Sequence, residues 1–335
     1  MRVSELGEFG LIRLINDIIH DTGRTNTISA LQLVIGLGDD TAAWQTEEAI
    51  ELATTDSMVE GTHFNLEFTG WEELGWKAVA ANLSDIAAMG GIPRFALISL
   101  AIPGWTESED VAQLYKGMLR IANRFGVTIT GGNIACADKV IITITILGVA
   151  RGRTMLTRSA AVPGDQIALT GYTGLSAGGL RLISDTSRSK EKNGQIMRNA
   201  HLMPVHRINE ASILLHYGVK TAIDVSDGLV SDLTHICEAS NVGAVIKQNL
   251  VPVHPALRSL FGEESLELAL TGGEDYEILF TAPEAVIEKV REKMPCPITV
   301  IGRITEGIPG QVTVYTVGGQ LTCGKGGWDH FRRQS

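Results

Sequence analysis

Cysteine is scarce and dispersed: Cys136, Cys237, Cys296 and Cys323 are the only four in 335 residues, and no two form a CxxC pair. That spacing offers neither a zinc site nor a disulfide frame, and reduced thiols in a cytoplasmic protein are expected. No apolar run approaches the roughly 18 residues of a membrane span. The stretch Met1 to Gly10 carries acids where a secretory signal needs an apolar segment, so export is not expected. Lys and Arg number 28 against 38 Asp and Glu, a formal charge of −10. That balance argues against a general nucleic-acid surface, which would show a basic patch. No Ser-His-Asp or Cys-His constellation stands out either.

The chain is 44% apolar and 20% charged, as a globular protein should be. A prior of about 150 residues per domain predicts two domains, placed at 1–150 and 151–335. Two acidic stretches organise the first. Gly36-Leu37-Gly38-Asp39-Asp40-Thr41-Ala42 and Ala53-Thr54-Thr55-Asp56-Ser57-Met58-Val59-Glu60-Gly61-Thr62-His63-Phe64 each follow a short apolar run, Leu31 to Leu37 and Ala49 to Ala53. Each run breaks off into glycine, hydroxyl and carboxylate residues, as a buried strand does where a ligand sits. Oxygen-only ligands suit a hard cation such as Mg²⁺, but Gly-Asp-Asp is equally ordinary turn and N-cap chemistry. With so many acids, a polyphosphate would be repelled unless Mg²⁺ stood between.

In chain order, Glu8 to Ile19 reads as an amphipathic helix and Trp71 to Gly90 as the most helical segment, its apolar series interrupted at Asn82-Leu83-Ser84-Asp85. Asp85 among Ala, Leu, Ile and Met is either buried and bound to metal or on a solvated face. Phe95 to Ile102 and Val140 to Val149 read as strands, with a helix from Asp110 to Phe125 between them. Thr130-Gly131-Gly132-Asn133 then falls at a strand-to-loop junction. Arg151 to Gly164 reads as the crossing between domains, followed by strand Gln166 to Thr170. The glycine-rich turn Gly171 to Gly179 opens a helix, where phosphate binding and close packing remain open alternatives. Asp185 to Gly194 is expected to be an exposed loop and Asn209 to Tyr217 a helix. Ile223-Asp224-Val225-Ser226-Asp227-Gly228-Leu229 marks a strand-to-helix junction, with the helix running to Ala239 and Asp232 inside it. Gly272-Gly273-Glu274-Asp275-Tyr276-Glu277 delivers adjacent acids into a strand; a charged hairpin edge is the plainer reading. Trp328-Asp329-His330-Phe331 reads first as a tail docked on the core.

Taken in order, Gly38-Asp39-Asp40, Thr54-Thr55-Asp56 with Glu60 to Phe64, Asn82 to Gly90, Ile223 to Leu229, Gly272 to Glu277 and Trp328 to Phe331 resemble the thiamine-monophosphate kinase family. That family shares a superfamily with aminoimidazole ribonucleotide synthetase, selenophosphate synthetase and a hydrogenase maturation factor. The resemblance spans nearly the whole chain. It implies an α/β (α+β) two-domain fold of the aminoimidazole ribonucleotide synthetase type, the N-terminal sheet pairing across a homodimer, with ATP and several Mg²⁺ ions between the domains. It implies direct transfer of the γ-phosphoryl of ATP to thiamine monophosphate, with neither nucleic-acid nor membrane partners. Carried over by position, the magnesium ligands are Asp40, Thr54, Thr55, Asp56, Asp85, Asn133, Asp224 and Asp227. Gly132, Asn133, Arg158 and Ser226 would contact ATP, and His63, Glu274 and Trp328 the thiamine phosphate. Asp56, Asp227 and Arg158 would serve catalysis.

One position departs from the pattern. Gly131-Gly132-Asn133 stands where the family has Gly-Gly-Asp, so an anionic ligand becomes a neutral amide. A reactive cysteine near the start, expected of a selenophosphate synthetase, is missing before Cys136, and the C-terminal cysteine of the hydrogenase factor is replaced by Gln334-Ser335. An aminoimidazole ribonucleotide synthetase-like enzyme, or a nucleotide-binding regulator without turnover, are the alternatives.

Overall fold

Alternation in the Ile- and Thr-rich segments builds the first sheet. On one strand Ile142, Ile144 and Ile146 are wholly buried, while Thr143 and Thr145 face the other way and bond Ser57 and Thr55 of the neighbouring strand at 2.7 and 3.0 Å. The computed structural model describes residue 10 and residues 32–35, 39–46, 48–183, 191–316 and 318–323. Its first sheet comprises β1 (Gln32–Ile35), β2 (Ala42–Gln45), β3 (Ile50–Val59), β4 (Ile92–Ile102), β5 (Thr128–Cys136) and β6 (Ile141–Val149), in the order β1-β2-β3-β6-β4-β5. Only β4 and β5 run parallel, and they are joined through a helix, as parallel neighbours require.

Two helices, α1 (Trp71–Ala88) and α2 (Ser108–Arg124), cover one face. They cross where glycines remove the side chains: a Cβ on Gly75 would stand 1.9 Å from the Leu114 carbonyl oxygen, and one on Gly117 1.9 Å from that of Glu72. Leu74, Val79, Leu83 and Ile86 of α1 fill the space above Leu52, Ile98, Leu100 and the β6 isoleucines. The opposite face has no helix among the described residues and exposes Thr55, Ser57, Leu97 and Phe95.

The second sheet takes β7 (Gln166–Thr170), β8 (Thr221–Asp224), β9 (Gly243–Lys247), β10 (Ile278–Ala282), β11 (Ile298–Thr305), β12 (Val312–Thr316) and β13 (Gly319–Cys323), in the order β13-β12-β9-β11-β7-β10-β8. Helices α3 (Leu175–Leu182), α4 (Lys192–Leu202), α5 (Ile208–His216), α6 (Leu229–Ser240), α7 (Pro255–Phe261), α8 (Glu264–Thr271) and α9 (Glu284–Lys293) pack around it. Ala168, Ala222 and Phe280 of this sheet, with Ala211 and Leu214 of α5, join the same apolar core as α1. A second core under α6 and α7 holds Leu229, Leu233, Ile236, Leu257 and Ile301. The mixed α/β architecture with two sheets matches the expectation.

Several boundaries need correction. The Leu31 to Leu37 run reads as a buried strand, yet in β1, at the sheet edge, Leu33 is 54% exposed; an edge strand has a neighbour on one side only. The second run does not break off at Ala53: β3 carries Thr54, Thr55 and Asp56 as paired strand residues opposite Ile146, Thr145 and Ile144. Gly131 to Asn133 likewise lie inside β5 rather than at a loop, opposite Leu97 to Ser99. β4 starts at Ile92, ahead of the expected Phe95, because a register shift between Pro93 and Phe95 absorbs the proline. The helix expected over Trp71 to Gly90 is present as α1 and runs unbroken through Asn82 to Asp85, with the Asn82 side-chain Nδ2 donating to the Ala78 carbonyl at 3.2 Å. α4 begins at Lys192, inside the segment expected to be a loop, and residues 185–190 fall outside the described residues. So do the expected helix at Glu8 to Ile19, apart from residue 10, and the Trp328 to Phe331 motif.

Candidate active site

The strand continuation of β3 matters because it fixes which way each side chain points. Residues 50, 52, 54, 56 and 58 share the helix-facing side. Thr54 is buried and its hydroxyl donates to Asp85 Oδ2 on α1. The Asp56 backbone N–H donates to Asn82 Oδ1 at 3.1 Å. Also on α1, the Ser84 hydroxyl donates to Asp224 Oδ2, at the end of β8, at 2.7 Å. Asp40, from the segment before β2, completes the group. One carboxylate oxygen from each of Asp40, Asp85 and Asp224 lies within 4.8 Å of the other two.

Such crowding is costly without a counter-charge. Burial, then repulsion by Asp40, pushes the Asp224 carboxyl up to about 8. Asp85 is raised well above its ordinary value by burial and by Asp56, Asp224 and Asp40. Asp39 rises to about 6 through burial and Asp40. Among the described residues Arg158 answers them. Arg158 Nη2 donates to Asp40 Oδ1 at 2.7 Å and its Nε to Asp40 Oδ2 at 3.3 Å, while its backbone N–H meets Asp39 Oδ2 at 3.2 Å. Burial opposes the Arg158 charge, but the attraction of Asp40, Asp39 and Asp224 outweighs it and its pKa rises. The residue that reads as a linker charge is thus clamped to the acidic stretch.

Ser226 and Asp227 follow Asp224 in a turn held from below. The N–H groups of Ser226, Asp227 and Gly228 all donate to Asp232 Oδ2, at 3.1, 3.2 and 3.1 Å. Buried Asp232 is therefore the residue that shapes this turn, a role not read from sequence; its place one turn into a helix that follows three small or acidic residues was the available signal.

A cavity of about 690 Å³ is lined by Asp56, Asp85, Asp224, Tyr276, His63 and Glu274 among others. His63 Nδ1 accepts the Val59 N–H at 3.0 Å. Glu274 has left-handed backbone, φ 62°, and its carboxylate receives Lys77 Nζ at 2.8 Å. Lys77 comes from α1 and is 1% exposed; its ammonium also lies 3.4 Å from His201 Nε2, whose other ring nitrogen meets Ser176 Oγ at 3.0 Å. Burial, then Lys77, pulls the His201 imidazole down to about 4, so it is neutral. Lys77, His201 and Ser176 were missed in the sequence. Lys77, Ala81 and Asp85 stand at helical spacing on one face of α1, which was the clue.

The glycine-rich turn is not a phosphate cradle. Asp275 fills it: its carboxylate accepts the Gly174 N–H at 2.5 Å and the Ser176 N–H at 3.0 Å, taking the N-terminus of α3. Packing is the reading that survives, since a Cβ on Gly174 would lie 2.7 Å from the Ala269 nitrogen.

Three expected residues are not brought to the carboxylate group. The Thr55 hydroxyl is on the opposite face of β3, bonded to the Ile144 carbonyl at 3.2 Å and to Thr145. Gly132 pairs with Ile98, which pairs with Ile144, which pairs with Asp56. Gly132 and Asn133 therefore stand three strands away, roughly 14 Å at about 4.8 Å per strand. Trp328 lies outside the described residues.

The model for AIR synthase related protein, N-terminal domain, matches residues 38–150, and that for the C-terminal domain matches 162–314. A thiamine-monophosphate kinase from Bacillus subtilis (strain 168) is 35% identical over 325 residues, 94% of this chain and 99% of that protein. One from Escherichia coli (strain K12) is 36% identical over 335 residues, 97% of this chain and 98% of that protein. The chain belongs to the thiamine-monophosphate kinase family. A solved member of that family, AaThiL complexed with AMPPCP and TMP, superposes with a TM-score of 0.86 at 34% identity, covering 98% of this chain and 99% of that one. The hydrogenase maturation protein HypE in complex with ATP superposes at 0.66 with 21% identity, covering 94% of each chain; that likeness concerns the fold.

Proposed function

We infer that this chain is a kinase that transfers the γ-phosphoryl of ATP to the phosphate of thiamine monophosphate, releasing thiamine diphosphate and ADP. The observation that carries the reading is the meeting of Asp40, Asp85 and Asp224, from three separate elements, within 4.8 Å, with Asp85 and Asp224 lining a cavity that Glu274 also lines. The acceptor is a phosphate monoester with a second pKa of about 6, already ionised at neutral pH, so no strong general base is needed. Catalysis then rests on positioning and charge neutralisation.

Raised carboxylates crowded around hard oxygen donors fit Mg²⁺ better than they fit an empty pocket. Asp40, Asp56, Asp85, Asp224 and Asp227 would hold it, with the Thr54 hydroxyl beside Asp85. When bound, Mg²⁺ would neutralise the charge of the two phosphate groups. Arg158 and Ser226 are assigned to ATP, Arg158 anchored by Asp40 and Ser226 by the Asp232 turn. Glu274 and His63 are assigned to the thiamine end, together with Trp328. At that end Phe64, Phe68 and Leu180 supply apolar surface for flat rings.

Thr55, Gly132 and Asn133 fit the same site if the protein is a homodimer. They lie on the first sheet away from the carboxylate group, and β5 is an edge strand with Ile134 70% exposed. A second subunit laid against this face would cover it and bring one chain's β5 to the other's site. Neutral Asn133 would make that contribution weaker than the aspartate of the pattern. An enzyme that consumes ATP is placed in the cytoplasm, in keeping with four cysteines that form no CxxC pair.

The test is ADP release coupled to product analysis. Thiamine monophosphate with ATP and Mg²⁺ should yield equal amounts of ADP and thiamine diphosphate. ATP hydrolysis indifferent to thiamine monophosphate, or no turnover, would remove the assignment.

A further inference from the structure

Tyr276 is 6% exposed and lines the cavity. Its backbone is in the left-handed region at φ 51°, two residues after Glu274 at φ 62°. Bulky side chains avoid that region, and such strain persists where the surroundings enforce it, commonly at ligand sites. Here the enforcement is visible. The Glu274 N–H donates to the Ser226 carbonyl at 2.7 Å, the Tyr276 N–H to Val225 at 2.9 Å and the Val225 N–H to Glu277 at 2.8 Å. The segment is laced to the turn that follows Asp224, and Tyr276 lines the cavity together with Glu274, Asp56, Asp85 and Asp224.

The hydroxyl makes no hydrogen bond to another described residue and is not among the polar atoms sealed in the core without a partner, so it keeps contact with the cavity that Tyr276 lines. Burial, then the charges of Glu274, Asp56, Asp224 and Asp85, push the Tyr276 pKa well above its ordinary value. The group therefore stays protonated and has a proton to donate. Charge also locates it: Glu274 and the three aspartates all act on this one side chain. An anionic phosphate placed there finds the nearby cations committed, Lys77 to Glu274, Arg158 to Asp40 and Arg181 to Glu264. A neutral hydroxyl can hold a phosphate oxygen without competing with a metal ion for the carboxylates.

We propose that Tyr276 binds substrate directly, donating its hydroxyl to an oxygen of the acceptor monophosphate and setting that phosphate between the carboxylate group and Glu274. The proposal rests on the reading that thiamine monophosphate occupies this cavity. The experiment is calorimetric titration of wild type and Tyr276→Phe, each with Mg²⁺ and a non-hydrolysable ATP analogue, using thiamine monophosphate and, separately, thiamine. Phe keeps the ring and removes only the donor. Loss of a hydrogen bond to a charged group predicts that the variant binds thiamine monophosphate about tenfold more weakly or worse, with thiamine affinity unchanged. Equal weakening for both ligands would put the hydroxyl on the rings and overturn the proposal, as would unchanged affinity for the phosphate. Wild type that fails to bind thiamine monophosphate would overturn the reading of the cavity and this inference with it; wild-type binding with an indifferent variant overturns this inference alone.

Discussion

Lys77 Nζ stands 2.8 Å from Glu274 Oε1, an ion pair that ties α1 of the first half of the chain to a strained loop of the second. Burial alone would raise the Glu274 carboxyl, but the Lys77 ammonium reverses the effect and holds it below its ordinary value. Glu274 thus stays an ionised acceptor facing the cavity. Replacing Lys77 by Met should cost about 3 kcal/mol, the low end for a broken buried pair because Glu274 keeps some access to solvent. Adding Glu274→Gln to that variant should recover most of the loss, measured by urea unfolding. In assays, Lys77→Met should raise KM for thiamine monophosphate and leave KM for ATP unchanged. Equal change in both would argue that the pair serves only the fold.

Stability of the metal-free protein should fall as pH rises. The Asp224 carboxyl lies near 8 in the folded chain against 3.8 for the ordinary group, so between those values the native state binds more protons than the unfolded one. Stability then decreases with pH across that window. Mg²⁺ requires the ionised carboxylates, so its effect on Tm should be small at pH 5 and large at pH 8. A Tm that rises from pH 5 to pH 8 without Mg²⁺ would contradict the repulsion described here.

Asp85→Asn separates stability from function. It removes one charge from a group in which Asp40, Asp56 and Asp224 all repel it, while an amide can still accept the Thr54 hydroxyl. The variant should melt at the same or higher temperature than wild type in EDTA, and its Tm should no longer respond to Mg²⁺. Turnover should fall by at least about a hundredfold, since charge neutralisation in phosphoryl transfer is worth several kcal/mol.

The acids were legible because carboxylates concentrated beside glycines are unusual within apolar sequence, and Asp40, Asp56, Asp85 and Asp224 do converge. Which face each residue takes was not legible. Thr54, Thr55 and Asp56 look alike as a polar cluster, yet strand alternation sends Thr54 and Asp56 toward α1 and Thr55 to the open side. Gly131-Gly132-Asn133 reads as a turn because glycine usually marks one, but here the parallel neighbour forces it: a Cβ on Gly132 would lie 1.7 Å from the Ile98 carbonyl oxygen. Lys77 does not stand out because lysine in a helix is normally solvated, and its partners are 124 and 197 residues away in sequence. Asp275 and Asp232, which accept backbone N–H groups at α3 and below the Ser226 turn, depend on tertiary contacts that spacing does not encode.

The position of Asn133 yields a test of assembly. It sits three strands from Asp56 in the same sheet, too far for one chain to close the site with both. If two chains pair through their first sheets, Asp56 of one meets Asn133 of the other. Asp56→Ala and Asn133→Arg should each be inactive alone, yet mixing them under conditions that exchange subunits should restore activity. Half of the resulting dimers are mixed and each carries one intact site of two, so about a quarter of wild-type activity is expected for a two-fold symmetric pair. A single-chain site would give none, and sedimentation showing a monomer at assay concentration would likewise rule out a shared site. In the same setting Asn133→Asp should lower the Mg²⁺ concentration needed for half-maximal rate, because a carboxylate attracts the cation more strongly than an amide.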